Sequence, residues 1–330
     1  MLNDPNQAVN NLKLNVLYAL NKSFVYRYFA YLVHRYTCLK NPVAEINRVF
    51  HTNYGRNPDL VNPHHLIEKI SWMELHCDVS EWTLCADKYR MRDYVKSRGC
   101  ERYLPKLYAQ WDNPGQIVWN ELPDQFVLKT NNGCGTVLVV KDKNHFNEKK
   151  IKCMLQKWLA IPYGYRGYQR HYLDIKPCVI AEELLSQDKS LDLISPQSMV
   201  DFKVWCFDGK VESVFVAYNR KPASLTVDLY DANWHRLKDC IQEMGHYHTQ
   251  FDVEFPRPSC FEEMKSVASA LSKGHPQMRV DFYVVNGKPV VGELTMSTGY
   301  GYFTEQYYYH LGDKVDLSMM KVIDGTPLPS

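Results

Sequence analysis

The sequence of 330 residues lacks any uninterrupted apolar run of about 18 residues, the length that a membrane-spanning helix requires. Its ten cysteines include no CxxC pair and no signal peptide precedes them, so we expect the reducing cytoplasm rather than a disulfide framework. The net charge is only +2, from 39 basic and 37 acidic residues, so no strong field points to nucleic acid or to acidic membranes. The remaining composition is that of an ordinary globular chain, long enough for two or three packed subdomains.

Charged and apolar residues alternate along residues 278 to 302, which predicts a strand, a turn and a second strand. Arg279 and Asp281 share one face of the first strand. Glu293 and Thr295 share one face of the second strand, because they too are two residues apart.

The register of this hairpin decides whether the charged residues meet. A strict two-residue turn at Asn286-Gly287 would place Glu293 opposite Val280, on the wrong face. A slip of one residue, by a longer loop or a bulge, places it opposite Asp281 instead. Pro289 has no N–H, which we take to disfavour the tight two-residue ladder, and we therefore predict the slipped register.

The slipped register brings Asp281 beside Glu293 and Arg279 opposite Thr295. Two adjacent carboxylates repel each other, and a bound divalent cation removes that repulsion. Ligands that are all oxygen suit Mg²⁺, which usually takes one or two carboxylates together with phosphate oxygens. The alternative is an exposed hairpin with scattered charges.

Residues 125 to 140 predict another hairpin, with QFVLK and TVLVV as strands and TNNGCG as the loop. Gly133 and Gly135 allow positive φ and a close approach of backbone N–H groups to a ligand. Such a loop forms a flexible flap over phosphates, whose charge Lys129 would neutralise from the end of the first strand. A plain hairpin turn is the alternative.

The other segments give coarser expectations. Residues 1 to about 40 predict a helix that either packs on its own domain or lies on a membrane surface or a partner protein. Asp87 is the expected N-cap of a helix that stops at Gly99. KPCVIAEELL predicts a buried strand, DFKVWCFDGK opens a hairpin with an Asp-Gly turn, and residues 223 to 258 look irregular.

Five motifs carry a family resemblance: ADKY, FVLKTNNGCG, AEELL, DFKVWCFDGK and GELTMSTGYG, in this order. Over roughly residues 50 to 315 the sequence resembles the TupA-like ATP-grasp family, which is named for teichuronopeptide biosynthesis. The resemblance implies an α+β ATP-grasp fold whose two subdomains sandwich a nucleotide. It suggests a mostly helical region at 1–86, a flap subdomain at 87–185 and a core subdomain at 186–330.

The resemblance also implies roles for residues, with ATP and Mg²⁺ as the cofactors. Mg²⁺ would be held by Asp281 and Glu293, and by Thr295 where the family usually has Asn, while Arg279 would stabilise a negative intermediate. The nucleotide would be bound by residues of four segments: Lys88, Lys129, Asn132, Gly133, Gly135, Glu182, Glu183, Leu185 and Lys203. Among these, Glu182, Glu183 and the backbone at Leu185 would contact adenine and ribose.

The activity implied is ATP-dependent joining of a carboxylate to an amine through an acylphosphate. The family's association with surface polysaccharides suggests a uronic acid as the carboxylate and an amino acid or other amine as the nucleophile. The absence of a Ser-His or Cys-His signature agrees with a reaction that needs no protein nucleophile. Two alternatives stay open, a sugar kinase and a non-catalytic nucleotide- or glycan-binding partner of a glycosyltransferase. A cytoplasmic protein peripheral to the inner face of the membrane is the expected location.

Overall fold

The computed structural model describes residues 23–221, 224–243, 247–250 and 253–329. The first part of the predicted N-terminal helix therefore lies outside the described residues. No helix within the described part of the chain is long and apolar enough to cross a membrane.

Of the α-helices in the described residues, five precede the first strand, four lie between strands and one follows the last strand. The first five are α1 (Phe24–Lys40), α2 (Pro42–Tyr54), α3 (Leu66–His76), α4 (Ser80–Ala86) and α5 (Met91–Ser97). The others are α6 (Glu148–Leu159), α7 (Arg170–Leu173), α8 (Lys189–Asp192), α9 (Phe261–Ser272) and α10 (Glu305–Asp313). Helix α1 ends two residues before Pro42. Pro42 begins α2, because a proline is tolerated in the first turn of a helix.

The first sheet has four antiparallel strands in the order β1-β4-β2-β3. They are β1 (Leu107–Trp111), β2 (Phe126–Thr130), β3 (Val137–Val140) and β4 (Val179–Glu182). The predicted glycine-tipped hairpin is confirmed as β2 and β3. Helix α6 covers this sheet with Ile151 and Leu155, which join Phe126 and Leu128 in one apolar core.

The second sheet has six strands in the order β10-β9-β5-β6-β7-β8, antiparallel except for the β7/β8 pair. They are β5 (Asp201–Phe207), β6 (Lys210–Lys221), β7 (Ser224–Asp231), β8 (Tyr247–His248), β9 (Met278–Val285) and β10 (Lys288–Thr295). The Asp208-Gly209 turn predicted between β5 and β6 is confirmed, with φ of 44° and 79°. Helix α9 packs on β5 and β9 within the larger of the apolar cores.

Strand β7 corrects the expectation that residues 223 to 258 are irregular. Asp228 lies in the middle of this strand and is fully buried, and it occupies a polar position in the alternation of Leu225, Val227 and Leu229 with Thr226 and Asp228, so the period of two of a strand is present in the sequence. The Nε of Arg236 donates a 2.7 Å hydrogen bond to Oδ1 of Asp228, and this pairing compensates the buried charge.

The slipped register of the β9/β10 hairpin is confirmed: Glu293 pairs with Asp281, and Thr295 pairs with Arg279. The reason given for it from Pro289 is wrong, because the turn is tight and Pro289 pairs with Val284. Strand β10 is at the edge of the sheet, so the missing N–H of Pro289 faces away from β9.

A bulge between Val291 and Glu293 produces the slip. Gly292 is the extra residue there, and a Cβ at its position would lie 2.9 Å from Cε2 of Tyr283. The narrow space beside the Tyr283 ring explains why the residue in the bulge has no side chain.

Candidate functional site

Three neighbouring strands present polar side chains in two rows on one face of the six-stranded sheet. In the first row Lys203 of β5 pairs with Asp281 of β9, which pairs with Glu293 of β10. In the second row three residues occupy the next position of the same strands: Trp205, Arg279 and Thr295. The period of two along each strand therefore places a cation, two carboxylates and a guanidinium side by side.

Asp281 is the most densely contacted member of the first row. Arg279 donates from Nε to Oδ1 at 2.6 Å and from its terminal nitrogen to Oδ2 at 2.8 Å, and Lys203 Nζ donates to Oδ2 at 2.6 Å. Burial alone would raise the pKa of Asp281, but Arg279 and Lys203 outweigh burial and lower it. Asp281 is therefore a carboxylate at neutral pH, although only 5% of its surface is exposed.

Lys203 lies between two acids, because its Nζ is 2.6 Å from Oδ2 of Asp281 and 2.6 Å from Oδ2 of Asp201. Burial lowers the pKa of Lys203, and the two carboxylates more than reverse that effect. The predicted role of Lys203 at the nucleotide phosphates remains a prediction, since its described partners are the two carboxylates.

Glu293 is the more accessible carboxylate of the pair, with 26% of its side chain exposed. The Nζ of Lys88 lies 3.6 Å from its Oε1 and also donates a 2.7 Å hydrogen bond to the carbonyl oxygen of Gly133. Lys88 therefore joins the glycine loop of the first sheet to the acidic pair of the second sheet.

The segment that carries Lys88 differs from the prediction. The helix expected to start at Asp87 begins at Met91, and residues 88–90 form a turn. Oδ1 of Asp87 accepts hydrogen bonds from the backbone N–H groups of Tyr89 and Arg90, at 2.9 and 3.1 Å. Asp87 caps this turn rather than the helix, so Lys88 is held by the turn.

The base of the glycine loop is fixed to the same segment. Nδ2 of Asn131 donates to Oδ1 of Asp87 at 2.9 Å, and the Lys88 N–H donates to the Asn131 carbonyl at 3.2 Å. Gly135 has φ of 73°, as predicted for a glycine in this loop, and Asn132 next to Gly133 is buried.

Gly133 differs from Gly135, because its φ lies outside the left-handed region and only Gly135 has a positive φ in this loop. A Cβ at Gly133 would come within 3.3 Å of Cβ of Tyr163. The glycine at this position therefore allows a close approach of the chain to Tyr163 rather than an unusual backbone conformation.

Lys129 and Glu182 contact each other across the first sheet. Nζ of Lys129 donates a 2.7 Å hydrogen bond to Oε2 of Glu182, and Arg92 donates to its Oε1 at 3.1 Å. Glu182 is buried, whereas Glu183 is exposed and its N–H donates to the Lys106 carbonyl at 2.9 Å. The half-buried Leu185 follows in the segment that leads from β4 to the second sheet.

Arg279 has hydrogen-bonding capacity left over. A guanidinium has five N–H groups. Two donate to Asp281, one donates to Oγ1 of Thr295 at 3.0 Å and one to Oγ1 of Thr298 at 3.3 Å. Among the described residues one N–H therefore remains for a ligand. The Trp205 ring lies beneath the guanidinium, 5.3 Å from centroid to Cζ.

The oxygen atoms of this site fit a hard divalent cation. A carboxylate can accept about four hydrogen or metal bonds, and the side chains described here use three of those on Asp281. Oδ1 of Asp281 thus retains room for one metal bond, and both oxygens of Glu293 retain more. The described residues contain no group of three or more His, Cys, Asp or Glu placed to hold a metal. Phosphate oxygens would therefore have to complete the coordination of Mg²⁺.

A groove runs from Thr298 past the glycine loop to α1. It consists of two cavities of about 270 and 560 Å³, which share Val49, Asn53, Tyr163 and Arg166 in their walls. Two tyrosine-rich loops contribute to it. The loop at residues 163–168 contributes Tyr165 and Arg166, and the loop that follows β10 contributes four residues: Thr298, Gly299, Tyr300 and Tyr302. The aromatic rings and the guanidinium group of Arg166 suit an anionic, ring-shaped ligand, and Thr298 in the wall of the groove accepts a hydrogen bond from Arg279.

Three residues of the site were not predicted. Asp201 shares a face with Lys203 at a spacing of two, so the alternation of β5 contained the signal for it. Arg92 and Thr298 contact Glu182 and Arg279 from distant segments, and neither spacing nor turn chemistry in the sequence indicates those contacts.

Comparison with known proteins adds one family match. The family model described as TupA-like ATPgrasp matches residues 68–316, a range that contains both sheets and every polar residue of the two rows. No curated protein matches the sequence.

Similar solved structures include three ligases. One is D-alanine–D-alanine ligase from Bacillus anthracis complexed with ATP, at 14% identity and a TM-score of 0.41, covering 72% of this chain and 66% of that one. L-amino acid ligase from Bacillus licheniformis has 15% identity and a TM-score of 0.40, covering 85% and 57%. ATP-grasp ligase PsnB, complexed with a phosphomimetic variant of its minimal precursor, Mg and ADP, has 12% identity and a TM-score of 0.37, covering 69% and 58%. The chain thus spans 66% or less of the length of each.

Proposed function

The chain belongs to the TupA-like ATP-grasp family, and from this premise we propose that it is an ATP-dependent ligase that joins a carboxylate to an amine. The observation that carries the proposal is the row Lys203–Asp281–Glu293, with Lys88 linking Glu293 to the glycine loop. An acidic pair among cations, beneath a glycine loop, has the charges that magnesium and the outer phosphates of a nucleotide require.

In the proposed reaction an oxygen of the substrate carboxylate attacks the γ-phosphorus of ATP, and the bond from that phosphorus to ADP breaks. The amine nitrogen then attacks the acyl carbon, the bond from carbon to the phosphate oxygen breaks, and the nitrogen loses a proton. The remaining N–H of Arg279 would donate to the oxygen that becomes negative in this second step. Magnesium, held by Asp281 and Glu293, would neutralise charge on the outer phosphates. No side chain needs to become covalently attached.

We further propose a uronic acid as the carboxylate and an amino acid or other amine as the nucleophile. The family's association with surface polysaccharides motivates the sugar. The groove supports it, because tyrosine rings can stack on a sugar while Arg166 attracts its carboxylate. The polysaccharide pathway, whether capsule or another surface glycan, follows from the same association.

The test measures ADP release from the purified chain with Mg-ATP, using a screen of nucleotide-linked uronic acids against amino acids, with product mass read in parallel. ADP release should require both substrates, and the product should have the mass of the amide. Asp281→Asn and Glu293→Gln should each lower the rate by roughly a hundredfold or more, the scale seen when the support of a metal site is removed.

Glu101→Gln and Asp239→Asn are the matched controls, because they remove the charge of exposed acids outside the two rows. They should leave the rate unchanged. Turnover that is equally fast in Asp281→Asn, Glu293→Gln and the controls would overturn the proposal. A phosphorylated sugar formed without amine would assign the site to a kinase, and nucleotide binding without turnover in any substrate pair would assign it to a binding partner.

A further inference from the structure

Helix α1 turns its apolar side chains away from the protein. Val25, Phe29, Val33 and Tyr36 follow one another at intervals of three or four residues, so they form one stripe along the helix. Their exposed fractions are 62, 64, 60 and 68%. Leu39 extends the stripe by one turn with 65% exposed. An amphipathic helix of a globular domain normally buries this face, and α1 does the opposite.

The inward side of α1 is polar, which explains its orientation. Arg27 and His34 line the larger cavity of the groove, and Nδ1 of His34 lies 2.7 Å from Oε1 of Glu45 on α2. Tyr31 packs its ring 5.7 Å from that of Tyr165. These contacts fix which side of α1 faces the protein, so the exposed apolar stripe is a consequence of ordered packing on the opposite side.

The charged residues of the segment that contains α1 are all basic. Between Asp4 and Glu45 the sequence contains no acidic residue, although acids make up 37 of the 330 residues. The same stretch contains five cations: Lys13, Lys22, Arg27, Arg35 and Lys40. Arg35 and Lys40 are exposed, as are the rings of three tyrosines in the helix: Tyr26, Tyr28 and Tyr36. Basic residues and tyrosines that border an apolar stripe are typical of helices that lie in the interface of an anionic membrane.

We propose that α1 docks the protein on an anionic lipid bilayer, with its apolar stripe in the boundary between headgroups and acyl chains. A bilayer fits better than a protein partner because the exposed Arg35 and Lys40 beside the apolar stripe, with no acid between Asp4 and Glu45, match the negative surface of such a membrane. The groove lies beneath α1, so docking would place its mouth at the membrane surface. This docking is independent of the proposed ligase chemistry, because it requires neither nucleotide nor turnover.

The test is co-sedimentation of the full chain with vesicles of phosphatidylcholine alone and of phosphatidylcholine mixed with phosphatidylglycerol, without nucleotide. The chain should bind the mixed vesicles, and added salt should release part of it. Phe29→Ser combined with Val33→Ser should weaken binding by at least about tenfold, because two buried apolar side chains are lost. Arg35→Glu combined with Lys40→Glu should weaken it by a similar factor.

The matched control for the apolar pair is Val61→Ser with Leu193→Ser, at positions that are 87 and 91% exposed away from α1. The control for the charge pair is Lys238→Glu with Lys288→Glu, also exposed. Both controls should bind as the unmodified chain does. Circular dichroism reports whether each variant is folded. If the Phe29→Ser, Val33→Ser variant is unfolded, the Arg35→Glu, Lys40→Glu variant decides the result.

Three outcomes would overturn the proposal. The first is no binding to mixed vesicles, and the second is equal binding by the α1 variants and their controls. The third combines two results: the chain does not bind vesicles, and light scattering detects a dimer that dissociates in the Phe29→Ser, Val33→Ser variant. This result would assign the apolar stripe to contact with a second copy of the chain.

Discussion

Lys203 is the residue on which the charge balance of the site depends. Its ammonium group neutralises Asp201 and Asp281 together, in a position where only 9% of the residue is exposed. Burial, together with the nearby carboxylate of Asp281, raises the pKa of Asp201 above its ordinary value, although Lys203 acts in the opposite direction. Lys203 is therefore the cation paired with Asp201, and it adds to Arg279 at Asp281.

Lys203→Met should destabilise the protein, because it leaves the buried carboxylate of Asp201 without its cation and Asp281 with Arg279 alone. The expected loss in the free energy of unfolding is roughly 3–5 kcal/mol, the usual result of removing one partner of a buried ion pair. Urea denaturation at neutral pH measures it. Adding Asp201→Asn to Lys203→Met should recover part of the loss, because one carboxylate then carries no charge.

Lys273→Met is the matched control for this loss, because Lys273 forms an ion pair with Asp208 at the exposed surface. That variant should change the free energy of unfolding by about 1 kcal/mol or less. Equal losses in Lys203→Met and Lys273→Met would show that the buried triad does not need its cation.

Single residues also show how far the sequence predicts the site. The spacing of two within Arg279/Asp281 and within Glu293/Thr295 is a local property, so the shared face of each pair was predictable, whereas the meeting of the two pairs depended on the register of the hairpin. Which cation neutralises which acid depends on contacts between distant segments, such as Lys129 with Glu182. Those pairings form only when the sheets assemble, and no local pattern encodes them.

At the scale of elements, the β9/β10 hairpin shows a correct prediction made for a wrong reason. The slip was predicted from Pro289 and the structure has one, but the slip results from a bulge at Gly292. A bulge leaves little sequence signal beyond an isolated glycine in a strand. Strand β7 was predictable from the alternation of Leu225, Val227 and Leu229 with polar residues, but the burial of Asp228 was not, because its pairing with Arg236 is made only in the folded protein.

Helices α3 and α10 make a close contact that depends on one glycine. A Cβ added at Gly312 of α10 would fall on the carbonyl oxygen of His64, and 2.9 Å from the backbone nitrogen of Leu66 at the start of α3. Both obstacles are backbone atoms, so no side-chain rotation can relieve the clash. The two helices would have to move apart.

Gly312→Ala should therefore destabilise the protein by about 1–3 kcal/mol, as overpacking of a close contact usually does. The sign is diagnostic, because Gly→Ala inside a helix otherwise stabilises it by about 1 kcal/mol. Thermal unfolding followed by circular dichroism measures the change. Gln306→Ala is the control, since Gln306 is exposed on the same helix and should alter stability little. A gain in stability for Gly312→Ala would contradict the described helix contact.

At the scale of the whole molecule, the groove includes helices that lie outside the range of the family match. The match begins at residue 68, so α1 and α2 precede it, yet both line the groove beside the glycine loop. Fold class and the order of the sheets could be expected from the resemblance. The position of α1 over the groove could not, because a polar inward face and an apolar outward face reverse the usual rule for helices.

The free energy of unfolding of the whole molecule should decrease as the pH decreases, because of His65. Its Nδ1 accepts the N–H of Ile67 at 3.1 Å and caps α3, and its ring stacks on Tyr308 at 4.8 Å. Burial, with a smaller effect of Arg56, lowers the pKa of His65 to about 3 from an ordinary value of 6.5. Below pH 6.5 the unfolded chain therefore binds a proton that the folded chain excludes, and stability decreases as the pH falls toward 3.

Between pH 7 and pH 5 this one group should remove about 2 kcal/mol from the free energy of unfolding. The comparison is with His65→Asn, which can still cap the helix but does not titrate. Urea denaturation of both proteins at the two pH values measures how much the free energy of unfolding of each changes with pH. Parallel pH profiles for the two proteins would exclude His65 as the source.

Strand β10 contributes half of the acidic pair from the outer edge of the larger sheet, where its free backbone groups invite another molecule to add a strand. The bulge at Gly292 breaks the regular spacing of those groups, and Pro289 removes one donor from them. The distortion that aligns Glu293 with Asp281 therefore also makes this edge a poor template for intermolecular β-pairing, which protects the protein from aggregation.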